Sequence, residues 1–135
     1  MTILIKNGTV VTSTQTVKAD IFIKDGKIVQ IGQEISVDAE RVIDADGKFV
    51  IPGGVDPHVH LYLPTPAGYS SDDFESGSIS ALHGGTTTLI DFVTPAKGES
   101  IYDALNKRID EAKNSLIDYS FHVSPVDWHE NSEKE

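Results

Sequence analysis

Two histidines, His58 and His60, stand either side of one valine in the stretch GGVDPHVHLYLP, residues 53–64. In an extended strand, side chains at i and i+2 point the same way. Both imidazoles then face one side, with Asp56 below them on that side. Two converging neutral imidazoles can share a cation, and imidazole nitrogen binds zinc at about 2.0–2.1 Å. A bare His-x-His is also what an exposed strand carries by chance, or what backbone hydrogen bonds satisfy. Position argues for the metal. The pair follows a run of turn signals, opens an alternation of strands and helices, and precedes a long polar loop. Asp56 has two readings: a carboxylate behind a ligand imidazole, or a tie between strand and loop.

Such a pair needs a rigid strand, and VDPHVHLYL reads as one. A turn-rich stretch from Pro64 to Ser71 follows it. DDFESGSISALHGG then reads as a helix, capped by Asp72 or Asp73 and ended by Gly84-Gly85. TTTLIDF is a buried strand rich in β-branched residues. SIYDALNKRIDEAKNSL is the clearest helix, with Ser100 as N-cap and a stripe of Ile101, Leu105, Ile109, Ala112 and Leu116. DYSFHVS is a further strand. Strand, helix, strand, helix, strand predicts parallel pairing.

Residues 1–52 use another grammar. Asn7-Gly8, Asp25-Gly26 and Asp46-Gly47 each sit between β-rich runs and predict three hairpins of antiparallel strands. In the middle one, Ile21 and Ile23 share one face, and Phe22 and Lys24 the other. Apolar residues on both faces predict a small sandwich. The change of domain falls at Pro52-Gly53-Gly54, giving an all-β unit over 1–52 and a strand–helix unit over 53–135.

The chain has 135 residues, no cysteine and a formal net charge of −10. Disulfides and thiolate metal sites are excluded. The negative balance argues against nucleic acid and against an anionic membrane surface. No apolar run approaches the roughly 20 residues of a membrane span, and MTILIKNG lacks the pattern of a signal peptide. Absence of cysteine fits a reducing compartment, so a cytoplasmic location is expected.

Together, VIDADGKFVIPGGVDPHVH resembles the start of the barrel in the amidohydrolase superfamily. DDFESGSISALHGGTTTLIDF is similar to the cyclic amidohydrolase branch, the dihydropyrimidinases and hydantoinases, and ILIKNGTVVT and DYSFH fit the same group. The resemblance thins only after about Val123. Dihydroorotases usually carry an arginine soon after the second histidine, where this chain has Leu61 and Tyr62. Allantoinases show an Asn-Glu-Pro run that is absent here. Tyr62 stands where hydantoinases often have an acidic residue, which leaves the preferred substrate open.

The resemblance implies a sandwich-like domain followed by the first βα units of a (β/α)8 barrel, here incomplete. It implies His58 and His60 as ligands of the more buried of two divalent metals, zinc or another. Metal ions there acidify a water, from 15.7 toward about 7 for zinc, for attack on a ring amide carbonyl of a small cyclic ureide or imide. The expected bridging lysine, further histidines and proton-shuttling aspartate match nothing in this chain and would lie beyond Glu135. A barrel needs about 250 residues, so the chain reads as an N-terminal portion, inactive by itself. It would be a truncated product, a shortened chain or one piece of a split one. Full-length relatives are expected to be homo-oligomers. The alternative is a non-catalytic dihydropyrimidinase-like scaffold or assembly fragment, against which the intact histidine pair argues.

In the resembling enzymes the loop at Tyr62 and Leu63 helps form the pocket for the ring substituent; ordinary loop packing is the other reading. Tyr69 is a contact or merely exposed. His83 closes a helix, where its charge favours the dipole. Asp91 ends a strand and faces the chemistry, as a support or as a buried cap. His122 ends the third strand near the site without touching the metal, and His129 is solvated in the acidic tail.

Overall fold

The computed structural model describes residues 1–128 and 134. The chain separates into two compact units, Met1–Pro52 and Gly53–Glu135.

The first unit contains β1 (Thr2–Val11), β2 (Thr16–Lys24), β3 (Lys27–Gly32), β4 (Arg41–Asp44) and β5 (Phe49–Val50). They form one sheet in the order β3-β2-β1-β4, with β5 also on β1. Val17, Ala19, Ile21 and Ile23 alternate along β2 and pack with Ile5, Val10 and Val50. Ile21 and Ile23 thus share a face, as their spacing requires.

Only one of the three expected hairpins forms. Asp25 and Gly26 both have positive φ, 51° and 75°, the conformation of a two-residue type I′ turn between β2 and β3. Asn7-Gly8 lies inside β1, where the register with β2 slips between Ile5 and Gly8. Asn7 is left-handed there, at φ 63°, and its N–H donates to Asp20 Oδ1 at 2.8 Å. The pair makes a bulge, not a turn. A Cβ on Gly8 would sit 2.5 Å from Val50 Cγ2, so the bulge is also a close approach. The true β1–β2 connection is Ser/Thr-rich, closed by Thr12 N–H to Gln15 O at 2.9 Å. Asp46-Gly47 joins β4 to β5, and both run parallel to β1. It is a kink in one interrupted strand, opposite the bulge. The expectation of antiparallel hairpins is corrected on both counts. All five strands belong to a single sheet, and Ile28, Val29 and Ile31 on β3 remain exposed. The second layer of the expected sandwich does not occur among the described residues of this unit.

The second unit runs β6 (Gly54–Asp56), β7 (Pro64–Thr65), β8 (Gly68–Tyr69), α1 (Phe74–His83), β9 (Thr86–Val93), α2 (Ile101–Ala112) and β10 (Asp118–Val123). β6, β9 and β10 form a parallel sheet in the order β10-β9-β6. β7 and β8 make a small antiparallel ribbon within the turn-rich stretch. Phe74, Leu89, Ala112 and Ile117 are the buried core.

α1 starts where its cap says it should. Asp73 accepts the Ser76 N–H at 2.8 Å, and its own N–H donates to Ser76 Oγ at 3.2 Å, a reciprocal box. The Asp73 carboxyl is held below its ordinary value, chiefly by the Ser76 main-chain N–H and then by the Ser76 hydroxyl. A depressed folded-state value means the cap contributes fully above the unfolded value, about 3.9. It loses that contribution as pH falls through the lower folded value. Asp73→Ala is therefore expected to lower the thermal midpoint at pH 7. The gap to the parent chain should close below about pH 4 in melts followed by circular dichroism.

α2 begins at Ser100, whose hydroxyl accepts the Asp103 N–H. Its buried residues are Ala104, Arg108 and Ala112. This corrects the expected stripe: Ile109 is exposed, and Leu116 lies exposed beyond the helix end. Two alanines bring the helix close, and an arginine occupies the position between them.

Candidate metal centre

The strand expected over VDPHVHLYL is shorter than its pattern. β6 stops at Asp56 because Pro57 has no N–H to give the ladder, and Asp56 Oδ1 accepts the His58 N–H at 3.1 Å. One ladder bond returns when the Val59 N–H donates to Ile90 O at 3.1 Å. The period-two alternation survives the interruption. Val59 and Leu61 pack against the Phe74–Leu89 core, while His58 and His60 stand exposed.

The two imidazoles come together, with ring centroids 5.2 Å apart at 80°. Both rest on Phe92, at 4.5 Å for His58 and 4.9 Å for His60. Among the described residues no protein group hydrogen-bonds to either ring. His122 lies against Phe92, centroid to centroid 4.9 Å, and its Nε2 is 3.0 Å from Pro57 O. Phe92 thus carries three imidazoles, one of them tied to the main chain. The carboxylate of Asp56 meets the His58 main chain, so it shapes the segment from beneath. Among the described residues no group of three or more His, Cys, Asp or Glu side chains gathers to hold a metal.

Tyr62 follows at φ 47° and turns the chain sharply. Its N–H donates to Asp72 O at 2.7 Å, and its ring stacks on Tyr69 at 4.1 Å. The Leu63 N–H donates to Ser70 Oγ at 2.9 Å. His60, Tyr62, Leu63, Tyr69, Phe92 and Lys107 line a recess of about 170 Å³. His83 lies apart from this region, its Nδ1 2.8 Å from Ile79 O on its own helix. His129 is outside the described residues.

Asp91 does not face the histidines, and this is a correction. Alternation along β9 sends Phe92 to their side and Asp91 to the helix side, where its side chain is fully buried against Arg108, itself 10% exposed. Asp91 Oδ1 accepts from Arg108 Nη2 at 2.8 Å and from the Phe92 N–H. Asp91 Oδ2 accepts the Leu61 N–H at 2.9 Å. The same Arg108 Nη2 donates to Leu61 O. Arg108 Nη1 donates to Glu111 Oε2 at 2.7 Å, and the guanidinium lies 4.7 Å over the Phe74 ring. Burying two charges costs several kcal/mol per ion in order of magnitude, offset only when hydrogen bonds satisfy both. Here they nearly do: among the described residues, only Arg108 Nε is left buried without a partner. Leu61 is pressed from a third side, since a Cβ on Gly77 would lie 2.5 Å from its Cδ2. Sequence reasoning missed Arg108 and Phe92. The available signal was a lone arginine at i+4 and i−4 from two small residues.

The parallel sheet thus places two imidazoles just past the end of β6, over the Phe92 ring. The amidohydrolase family profile matches residues 49–133, and the chain belongs to that family. It is 49% identical over 124 residues to the D-hydantoinase of Geobacillus stearothermophilus, covering 91% of this chain and 26% of that protein. A crystal structure of D-hydantoinase matches with a TM-score of 0.96 and 46% identity, over 100% of this chain and 30% of that one. The dihydropyrimidinase from Brevibacillus agri NCHU1002 matches with a TM-score of 0.95 and 39% identity, over 99% of this chain and 29% of that one. The chain thus spans about a quarter of the length of the curated relatives it matches. No helix among the described residues is long and apolar enough to cross a membrane.

Proposed function

We propose that this chain is the N-terminal portion of a metal-dependent cyclic amidohydrolase of the dihydropyrimidinase or hydantoinase kind. Its reaction is hydrolysis of a ring C–N amide bond in a small cyclic ureide or imide. In this reading residues 1–52 belong to a β-sandwich and residues 53–135 form the first βα units of a (β/α)8 barrel. The observation that carries it is the convergence of His58 and His60 on one exposed face, 5.2 Å apart, with ring nitrogens free of protein partners among the described residues. They lie past β6 at the same end of the parallel sheet as Phe92 and His122, the end where barrel enzymes place their sites.

The residues fit a divalent metal such as zinc: two imidazole nitrogen donors on adjacent same-face positions suit it. His58 and His60 would hold one of the two ions of a complete site. When bound, such metals acidify a water and polarise the scissile carbonyl. The chain's own residues do the rest of what this quarter contributes. Phe92 backs both rings. Asp56 fixes the main chain at His58. Tyr62 and Leu63 offer a wall for the ring substituent. The other ligands and the proton-shuttling carboxylate belong to later strands. The protein is then cytoplasmic and homo-oligomeric, with no nucleic-acid or membrane partner. The intact pair weighs against a non-catalytic scaffold.

Two ligands alone hold zinc weakly, so the 135-residue chain is expected not to open dihydrouracil. A chimera carrying these residues in place of the matching quarter of D-hydantoinase is expected to do so with zinc. His58→Ala with His60→Ala should cut that rate by at least about 10²-fold, in keeping with losses on removing catalytic groups. Loss of the dihydrouracil absorbance measures it. A folded chimera that binds no zinc and opens no ring overturns the proposal.

A further inference from the structure

We propose that Arg108 and Asp91 are positioning residues for the histidine pair: together they grip the N–H and the C=O of Leu61, and so fix where the His60 imidazole stands. Only the consequence for metal binding rests on the reading above; the positioning itself does not.

Three observations support this assignment. The first is the bonding. Asp91 Oδ2 takes the Leu61 N–H, and Arg108 Nη2 reaches both Leu61 O and Asp91 Oδ1. One residue 30 positions away in sequence and another 47 away thus close a ring around a single residue. The second is the place of that residue. Leu61 directly follows His60, and Val59 directly before it is tied to Ile90 O. Both neighbours of His60 are therefore anchored to main chain or side chain of β9 or α2, while its own ring is exposed. The third is the orientation of the guanidinium. Its two terminal nitrogens are used, by Leu61 and Asp91 on one side and Glu111 on the other, while Nε is left without a partner. The fork is set by Leu61 rather than by its own full satisfaction.

β9 joins the two faces of this device. Asp91 holds the Leu61 peptide on the helix side, and Phe92, one residue on, supports the imidazoles on the other. A one-residue slip of residues 59–61 against β9 would lose the Asp91 bond and carry the rings off Phe92 together. Lysine cannot replace the arginine here. One ammonium is a point donor, whereas the planar fork reaches separate acceptors at fixed angles.

The test uses the 135-residue chain with Arg108→Met, which keeps length and apolar volume, and Arg108→Lys, which keeps a charge beside Asp91 should the first variant not fold. Ile117→Val serves as a control in the same core with no bond to Leu61. Proton NMR reads ring-to-ring contacts between His60 and Phe92 and exchange of the Leu61 N–H; copper(II) serves as probe, with its nitrogen hyperfine pattern and its Kd. The parent and Ile117→Val are expected to show the ring contacts, a slow Leu61 N–H and two equivalent imidazole nitrogens on copper. The arginine variants are expected to lose the ring contacts, to exchange Leu61 at least tenfold faster and to bind copper about 10–100-fold more weakly, the usual effect of removing a group behind a ligand. A folded Arg108→Met or Arg108→Lys that keeps the ring contacts and the slow Leu61 N–H overturns the proposal. If ring contacts depend on Arg108 while even the parent binds no copper, the positioning role stands and the metal reading falls.

Discussion

Phe74→Ala is expected to cost about 3–5 kcal/mol, the usual range for truncating a fully buried aromatic side chain. Phe74 is 1% exposed and is the largest fully buried side chain among the described residues. It stands at the first position of α1, directly after the cap. Its ring meets Tyr119 and Phe121 of β10, each at 6.4 Å, and carries the Arg108 guanidinium on its face. Alanine therefore opens a cavity between α1, β9 and β10 and removes the ring on which a buried cation lies. Two-state fitting of the whole chain is unsafe when two units melt separately. Native-state hydrogen exchange of the β9 amides is the proper measurement. Their protection should fall by at least about 10²-fold, while amides of β1 and β2 stay unchanged. Equal loss in both sets, or none in either, contradicts the assignment of this core to the second unit.

How much of this was legible beforehand depends on the range of the interaction that decides each element. The histidine pair was legible because its geometry follows from period two alone, and that period outlasts the break at Pro57. The order of strands and helices after Gly53 was legible for the same reason: caps at Asp73 and Ser100 and the β-branched run of β9 are local signals. The buried face of α2 was not. The expected stripe of Ile101, Leu105, Ile109, Ala112 and Leu116 shares only Ala112 with the buried face of Ala104, Arg108 and Ala112. The smaller residues win because close packing on β9 and an ion pair with Asp91, 17 residues away, decide the rotation. No window of helical length contains both partners. Asp91 was placed on the wrong face for a similar reason, since its fate is set by an arginine on the next helix.

The Asn-Gly and Asp-Gly pairs teach the complementary lesson. Each marks residues that tolerate positive φ, and all three sites do contain such residues: Asn7, Asp25 with Gly26, and Gly47. A positive φ serves a bulge or a kink as well as a reversal. Which of these occurs is chosen by the partner strand. At Asn7 the choice is made by Asp20, a residue that carries no turn signal.

Asp20→Ala is accordingly expected to destabilise the first unit by about 2–6 kcal/mol. Asp20 is 4% exposed. Its two carboxylate oxygens are used separately, Oδ1 by the Asn7 N–H at 2.8 Å and Oδ2 by the Ile35 N–H at 3.0 Å. The first bond holds the bulge of β1; the second pins the chain beyond β3, where Ile35 is itself 3% exposed. Alanine leaves two main-chain donors without acceptors, at about 1–3 kcal/mol each. Asp20→Asn separates hydrogen bonding from size. The amide keeps one acceptor oxygen but points its NH₂ at the other N–H, so it should recover at most about half of the loss. Urea unfolding followed by exchange at the Asn7 and Ile35 amides measures both. If alanine costs less than about 0.5 kcal/mol, the range of an ordinary surface change, then water satisfies those donors. In that case the bulge is held instead by the close approach of Gly8 to Val50.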